Sequence, residues 1–301
     1  MPGSNVNCRG ASAFYACISP LLKRAFTVLS RSQKFAYPGL GVEVFVMRAC
    51  LLSIIALSSA VLLCPIASAE DFRIETKVYA GKDKTAVSHN TTLFKAGYVY
   101  DYLSDPDRVA VFDKPHGRFI LLDPTRKLKT EIKTDDVLTF ATKFHDWAAK
   151  SANAFMRFAA DPKFDVSFSE DGKLTLSSGH INYRLQTEPA KTPEGAEQYR
   201  EFSDWYARFN AMSNPGSTPP FARMTVNAEL ADRGLVPAEV QLTIPPQARL
   251  GVRAVAMRSE PKVDWKLLQR DEERIVETAN QLAAFKLVDF SEFQESKVSK
   301  R

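Results

Sequence analysis

From Phe72 onward the chain alternates apolar and polar positions with a period of two. Phe72, Ile74, Thr76 and Val78 alternate with Arg73, Glu75 and Lys77, and Leu128, Thr130 and Ile132 with Lys127, Lys129 and Glu131. Successive side chains of an extended chain point to opposite faces, so this pattern predicts strands with one buried and one wet face. Between these runs lie Tyr98/Tyr100/Tyr102, RVAVFD (108–113) and RFILLD (118–123), separated by SDPD (104–107), KPHG (114–117) and DP (123–124). Pro and Gly at these spacings set tight reversals, and residues 72–133 therefore read as an antiparallel meander of about six strands.

The period then changes. TDDVLTFATKFHDWAAKSANAFMRFAA (134–160) places Val137, Phe140, Ala141, Phe144, Trp147, Ala148, Phe155 and Phe158 near one helical stripe. Thr134 is the expected N-cap, with Asp135 and Asp136 in the first turn where their charge suits the helix dipole. Strand patterns resume at Phe164/Val166/Phe168, Leu174/Leu176 and Ile181/Tyr183/Leu185. A second helix from about Glu194 carries Tyr199, Phe202, Trp205, Tyr206, Phe209 and Met212 and ends at the SNPGSTPP loop (213–220).

Three more strands are expected: Met224/Val226/Ala228/Leu230, Val240/Leu242/Ile244, and Val252 to Met257. ADRG (231–234) reads as a hairpin turn and PPQ (245–247) as a looser one. A last helix is expected from about Asp264 to Phe285, with Leu268, Ile275, Val276, Ala279 and Leu282 inward. No composition shift divides residues 70–301, which are expected to form a single β-rich domain.

The longest apolar run lies upstream of this domain. Nothing is charged between Arg48 and Glu70, a length that would just span a bilayer. One positive charge before the run, Pro65 within it and Ala-Ser-Ala (67–69) at its end favour a cleaved export signal over an anchor, with Ala67 and Ala69 read by the peptidase and Glu70 first in the mature chain. A lipid-attachment signal at Cys64 fits less well, because Leu63 rather than a small residue precedes it. Residues 47–69 are thus the expected signal peptide. Residues 1–46 are read as an over-long start, with a basic targeting extension as the alternative. The expected location is exported, periplasmic or extracellular.

This cut changes the charge and cysteine picture. Six of the 40 Lys/Arg and one of the 35 Asp/Glu lie upstream of Glu70, so the mature chain has no net charge and its composition gives no reason to expect nucleic acid. All four cysteines (Cys8, Cys17, Cys50, Cys64) also lie upstream, which leaves no disulfide, thiolate metal site or cysteine nucleophile in the domain.

Little else in the sequence points to catalysis. No G-x-S-x-G is present, and SSGH (177–180) sits in an expected hairpin without an acid at useful spacing. His89, His116, His145 and His180 never fall at i, i+4, and His145/Asp146 are adjacent on a helix, where side chains diverge. The carboxylate pairs Asp105/Asp107, Asp135/Asp136 and Glu170/Asp171 fall in turns or at a helix start. GKDKT (81–85) lacks a phosphate loop's first glycine, and NTT (90–92) fits only a glycosylation pattern. No cofactor and no metal are expected.

The aromatic helices remain. Trp147, Trp205 and most of the phenylalanines must pack on a sheet with one apolar face, either as a solid core or around an apolar pocket. The stretch TLFKAGYVYDYLSDPDRVAVFDKPHGRFILLDPTRKLKTEI (92–132) resembles the periplasmic lipoprotein carrier family, in which a Gly turn leads through a Phe/Tyr strand to a D-P-x-x-K turn. That resemblance implies an unclosed, half-barrel-like antiparallel sheet capped by helices that holds acyl chains on its concave face. The expected fold class is α+β: a curved antiparallel sheet of about 11–12 strands with about three helices.

The leading expectation for function is non-catalytic binding of a lipid or acylated protein near the envelope membrane. Phe140, Phe144, Trp147, Tyr199, Phe202 and Trp205 would line the cavity. A structural or interaction module with a solid core and a hydrolase whose site assembles only in the fold are the alternatives. The oligomeric state is open.

Overall fold

The computed structural model describes residues 70–214, 219–246 and 254–295. The chain lays down β1 (Phe72–Ala80), β2 (Ser88–Lys95), β3 (Tyr98–Ser104), β4 (Asp107–Asp113), β5 (Arg118–Asp123) and β6 (Leu128–Lys133). Helices α1 (Thr134–Ala149) and α2 (Ala154–Ala160) come next, then β7 (Asp165–Phe168), β8 (Lys173–Ser177) and β9 (Asn182–Pro189). Helices α3 (Pro193–Ser213) and α4 (Pro220–Ala231) lead into β10 (Leu235–Ile244) and β11 (Val255–Asp264). Helix α5 (Gln269–Ala284), β12 (Lys286–Leu287) and α6 (Phe290–Glu295) follow.

The strands form one open, curved sheet in the order β12-β6-β5-β4-β3-β2-β1-β11-β10-β9-β8-β7. Every neighbouring pair is antiparallel except β12, which lies parallel to β6. Strand β1 sits mid-sheet between β2 and β11 and so joins the meander to the later strands. Ala96 and Gly97 both have positive φ (48° and 82°) in the two-residue β2–β3 turn, the twist that matches two hairpin strands.

Register sorts side chains into two faces. Phe72, Phe94, Val99, Phe112, Phe119 and Ile132 lie directly across from one another on six consecutive strands. This row and its neighbours face α1–α4 and form the larger core. Phe72 stacks on Phe94 (4.0 Å between centroids), and Phe119 stacks on Phe209 of α3 (4.8 Å). The opposite face carries Leu93, Tyr102, Val109, Val111, Ile120 and Leu122, against which Ile275 and Leu282 of α5 pack. Burying one such side chain contributes about 1.5–3 kcal/mol. A Cβ on Gly195 in the first turn of α3 would come within 2.6 Å of the Trp265 ring, and the missing side chain is what lets that indole close over the helix.

The six-strand meander forms as the alternation predicts, and the sheet has twelve strands. The helices depart from expectation: among the described residues there are six α-helices instead of about three. The expected helix over 134–160 breaks between Ala149 and Ala154, and Asn153 caps the second piece by accepting from Phe155 and Met156 N–H. Thr134 is the first residue of α1, not its cap; Lys133 is the N-cap, and the Thr134 hydroxyl donates to the Gly117 carbonyl (2.9 Å).

The largest correction is the strand expected at Met224 to Leu230, which is helix α4. Apolar residues at 226 and 230 satisfy a period of two and an i, i+4 helical repeat equally. Ala222, which lies one turn earlier and is fully buried, decides for the helix. ADRG is accordingly the exit of α4 rather than a hairpin turn. Helix α5 starts at Gln269; Asp264 still belongs to β11, and Val276 and Ala279 face solvent while Asp271 and Thr278 are buried. Val252 and the end of the PPQ turn lie outside the described residues.

Candidate functional site

Helix α3 does not lie flat on the sheet along its whole length. Between it and strands β1, β2, β10 and β11 is a cavity of about 660 Å³. The floor is built from positions that register places on one face: Ile74 and Val78 of β1, Val240 and Leu242 of β10, and Met257 of β11. The roof is a helical stripe of α3, Tyr199, Phe202, Ser203, Tyr206 and Asn210, spaced so that they share a face. Pro219 and Arg223 at the head of α4 complete the wall. A second cavity of about 320 Å³ adjoins Phe94, Val99 and Phe112, and Phe202 lines both.

The floor is not wholly apolar. On the β2–β3 pair, Asn90, Thr92 and Asp101 take places where the alternation would put hydrophobes. Asn90 Nδ2 and Thr92 Oγ1 each donate to Asp101 Oδ1 at 2.7 Å, and the Tyr206 hydroxyl donates to the same carboxyl. Burial raises the Asp101 pKa, and these three donors offset only part of that. The Asp101 charge in turn drives the Tyr206 hydroxyl well above its ordinary value, with burial adding to it. The group is a closed polar knot beneath an apolar chamber, and it resists ionisation.

One guanidinium stands in the lining without an ionic partner. Arg223 Nη2 donates to the Tyr199 hydroxyl at 2.9 Å, and among the described residues no carboxylate lies within 4 Å of it. The other lining arginine, Arg258, is bonded to Glu260 and lies over the Tyr79 ring (4.3 Å).

Of the six aromatic residues expected to line a pocket, Tyr199 and Phe202 are in the lining of the larger cavity. Trp205 lies on the neighbouring stripe of α3, against Phe112 (6.1 Å), with Arg208 over its ring. Phe140, Phe144 and Trp147 form a stack along α1 (5.9 and 5.7 Å), away from both cavities, and Trp147 is 58% exposed. Ala67 and Ala69 lie outside the described residues. Glu70 is bonded to Lys191 (2.5 Å) and Thr192 (2.7 Å) at the head of α3.

The other chemical candidates are dispersed. The Ser178 hydroxyl donates to the Ile181 carbonyl (2.7 Å), while His180 lies against Phe158. His145 and Asp146 do approach each other, at 3.4 Å, on the exposed side of α1. The three carboxylate pairs are exposed. Among the described residues no cluster of three or more His, Asp or Glu is placed to hold a metal ion, and no helix is long and apolar enough to cross a membrane.

One acid–histidine contact escaped the sequence reading. Asp113 Oδ1 meets His116 Nδ1 at 2.7 Å, and Arg118 Nε donates to Asp113 Oδ2 at 2.9 Å. Burial works against the Asp113 charge, yet His116 and Arg118 hold its pKa below the ordinary value. The spacing D-x-x-H around a proline was the available signal. The contact caps a 3-10 turn at Lys114–His116, and His116 projects into solvent.

No family model matches the sequence, and no curated protein does. Among solved structures, the chain is similar to the crystal structure of a LolA superfamily protein from Nitrosomonas europaea. The match has 6% identity and a TM-score of 0.25, over 67% of this chain and 89% of that one. The likeness is weak.

Proposed function

We propose that this protein is a non-catalytic binder that holds the apolar part of a lipid, or of a lipid-linked molecule, between its sheet and α3. The supporting observation is the cavity of about 660 Å³, which falls within the roughly 300–1,000 Å³ typical of ligand sites and has a largely apolar floor under the aromatic side chains of α3. A structural module with a solid core would have no use for such a space, since protein interiors otherwise pack to crystal-like density. Val78, Val240, Leu242 and Met257 offer dispersion and area burial along a chain, while Tyr199 and Phe202 cover it.

The same reading takes the protein to be exported. Cleavage after Ala69 would leave Glu70 as the first residue, and the bonds from Lys191 and Thr192 would dock that new terminus on α3. Native mass spectrometry of the full-length chain, expressed so that it can be exported, tests both parts. The expected result is a mature mass beginning at Glu70 and a lipid-sized adduct that organic extraction removes and Ala207→Trp prevents. Ala207 lines the cavity from α3, so an indole there would fill it. An adduct-free wild type that also fails to take up lipid from a mixed extract would overturn the binding proposal. A retained residue 1 or 47 would overturn cleavage.

A further inference from the structure

An apolar chamber alone would select for greasiness and nothing more. The distribution of charge around this one is lopsided: among the described residues its lining contains Arg223 and Arg258 and no carboxylate, Asp101 lying beneath Asn90 and Thr92. Arg258 is occupied by Glu260 and Tyr79, whereas among the described residues Arg223 holds only the phenol oxygen of Tyr199. A phenol leaves most of a guanidinium's five donors unused.

Two acids near the cavity do not neutralise it. Asp101 is buried under Asn90, Thr92 and Tyr206. Asp204 on α3 feels the Arg223 charge, but its carboxyl accepts from Asn227 (2.7 Å) and also lies in the fields of Arg208 and Arg200. Arg200 is itself paired with Glu197 (3.4 Å), so Asp204 is left between Arg208 and Arg223, two guanidiniums for one carboxylate, and this part of the α3–α4 seam is positive. Arg223 also lies in the first turn of α4, whose dipole adds in the same sense.

We propose that the cavity selects an anionic amphiphile: an acyl chain on the Ile74, Val78, Val240 and Leu242 floor, with its carboxylate or phosphate held by Arg223 beside Tyr199. This rests on the binding function proposed above and adds the headgroup class to it. The planar guanidinium can grip either anion through two parallel N–H bonds, which a neutral ester cannot match in charge. Tyr199 fixes the side chain from behind and so reduces the freedom lost on binding.

The test is fluorescence titration of the full-length protein with cis-parinaric acid and with its methyl ester, in wild type, Arg223→Gln and Arg223→Lys. Wild type is expected to bind the acid at least tenfold more tightly than the ester. Arg223→Gln should lose that preference, and a far-UV circular dichroism spectrum and urea midpoint matching wild type would show that the variant is folded. Arg223→Lys should retain part of the preference.

Competition separates the two anion sources. Displacement by a single-chain phosphate lipid, but not by inorganic phosphate at the same concentration, is the expected outcome for an amphiphile site. Equal displacement by inorganic phosphate would show a plain anion site and overturn the amphiphile assignment. Equal binding of acid and ester in wild type would overturn the Arg223 assignment and leave the cavity-binding function standing. Failure of both probes to bind would instead remove that function.

Discussion

The two faces of the sheet are covered by different strategies. On one face α5 is fastened by directional bonds: Arg73 of β1, with its side chain 4% exposed, meets Asp271 of α5 (3.0 Å), Asp264 (3.1 Å) and Glu75. Burial disfavours the Arg73 charge, but its bonds to Glu75 and Asp264 and the field of Asp271 together hold its pKa above the ordinary value. Asp271 also accepts from the Leu268 backbone N–H at the head of α5, and the Tyr102 hydroxyl meets Thr278 (2.9 Å) farther along the helix. On the other face, α1–α4 pack with many aromatic side chains and leave about 660 Å³ unfilled. Polar pins fix one helix in one place at the cost of desolvating charges, whereas aromatic packing is non-directional and tolerates a gap. The difference is one of fastening: the α5 face is pinned at named positions, and the α3 face is packed and leaves a space.

Breaking the pinned face should have the largest effect. Arg73→Leu strands Asp271 in a buried site and is expected to lower stability by about 3–5 kcal/mol, read from urea denaturation. Adding Asp271→Asn should recover part of that loss, because the unpaired charge is gone while the helix-capping acceptor remains. A loss below about 1 kcal/mol would mean that α5 is held by its apolar contacts with Ile275 and Leu282 alone.

The open face should respond in the reverse way to added bulk. In a filled core Ala207→Trp would cost about 1–3 kcal/mol through overpacking. Here it is expected to cost less than about 1 kcal/mol while abolishing ligand uptake. A large destabilisation would show that the space closes in solution, and the contrast between the faces would disappear.

These tests also separate what the sequence made legible from what it did not. The meander could be read because each strand has one wet face, and period-two alternation is the direct image of that. The α3 roof was half visible: Tyr199 and Phe202 emerged from the helical stripe, but the stripe is wide enough to serve two neighbours. Trp205 and Phe209 turn toward Phe112 and Phe119 instead. Phe140, Phe144 and Trp147 on α1 are likewise aromatic and at helical spacing, and only the fold tells the two helices apart. Arg223 was hidden because it lies just ahead of Met224 to Leu230, a segment that read as a strand, so the helix that carries it was not expected. Asn90, Thr92 and Asp101 did carry a signal, since polar residues interrupt an otherwise apolar face there, but a knot of side chains from three elements is a property of register and not of spacing.

A milder probe of the pinned face is Tyr102→Phe. Burial pushes the Tyr102 pKa up to about 12, so the hydroxyl stays protonated and Thr278 keeps a second bond to the Arg274 carbonyl (2.8 Å). The expected cost is about 1 kcal/mol by thermal or urea denaturation, the net worth of one hydrogen bond whose partner is not left empty. A loss several times larger would mean that the whole length of α5 depends on this bond, and that the pinning is not concentrated at Arg73.

The smallest effect is expected at the polar knot under the cavity, and it is one of pH. The folded Asp101 pKa is raised, first by burial, against the bonds from Asn90, Thr92 and Tyr206. The folded state therefore holds this proton more tightly than the unfolded chain does. The associated stability is fully present below the ordinary carboxylate pKa and is lost as pH rises through the raised folded value. Asp101→Asn cannot ionise and still offers Oδ1 to Asn90 and Thr92. Relative to wild type, the variant should gain stability between pH 4 and pH 7 in paired denaturation curves. A relative loss over the same interval would mean that the three donors stabilise a carboxylate anion. The cavity floor would then carry a negative charge that repels the very headgroup Arg223 is placed to attract, so the sign of this one slope bears on the ligand class as well as on the fold.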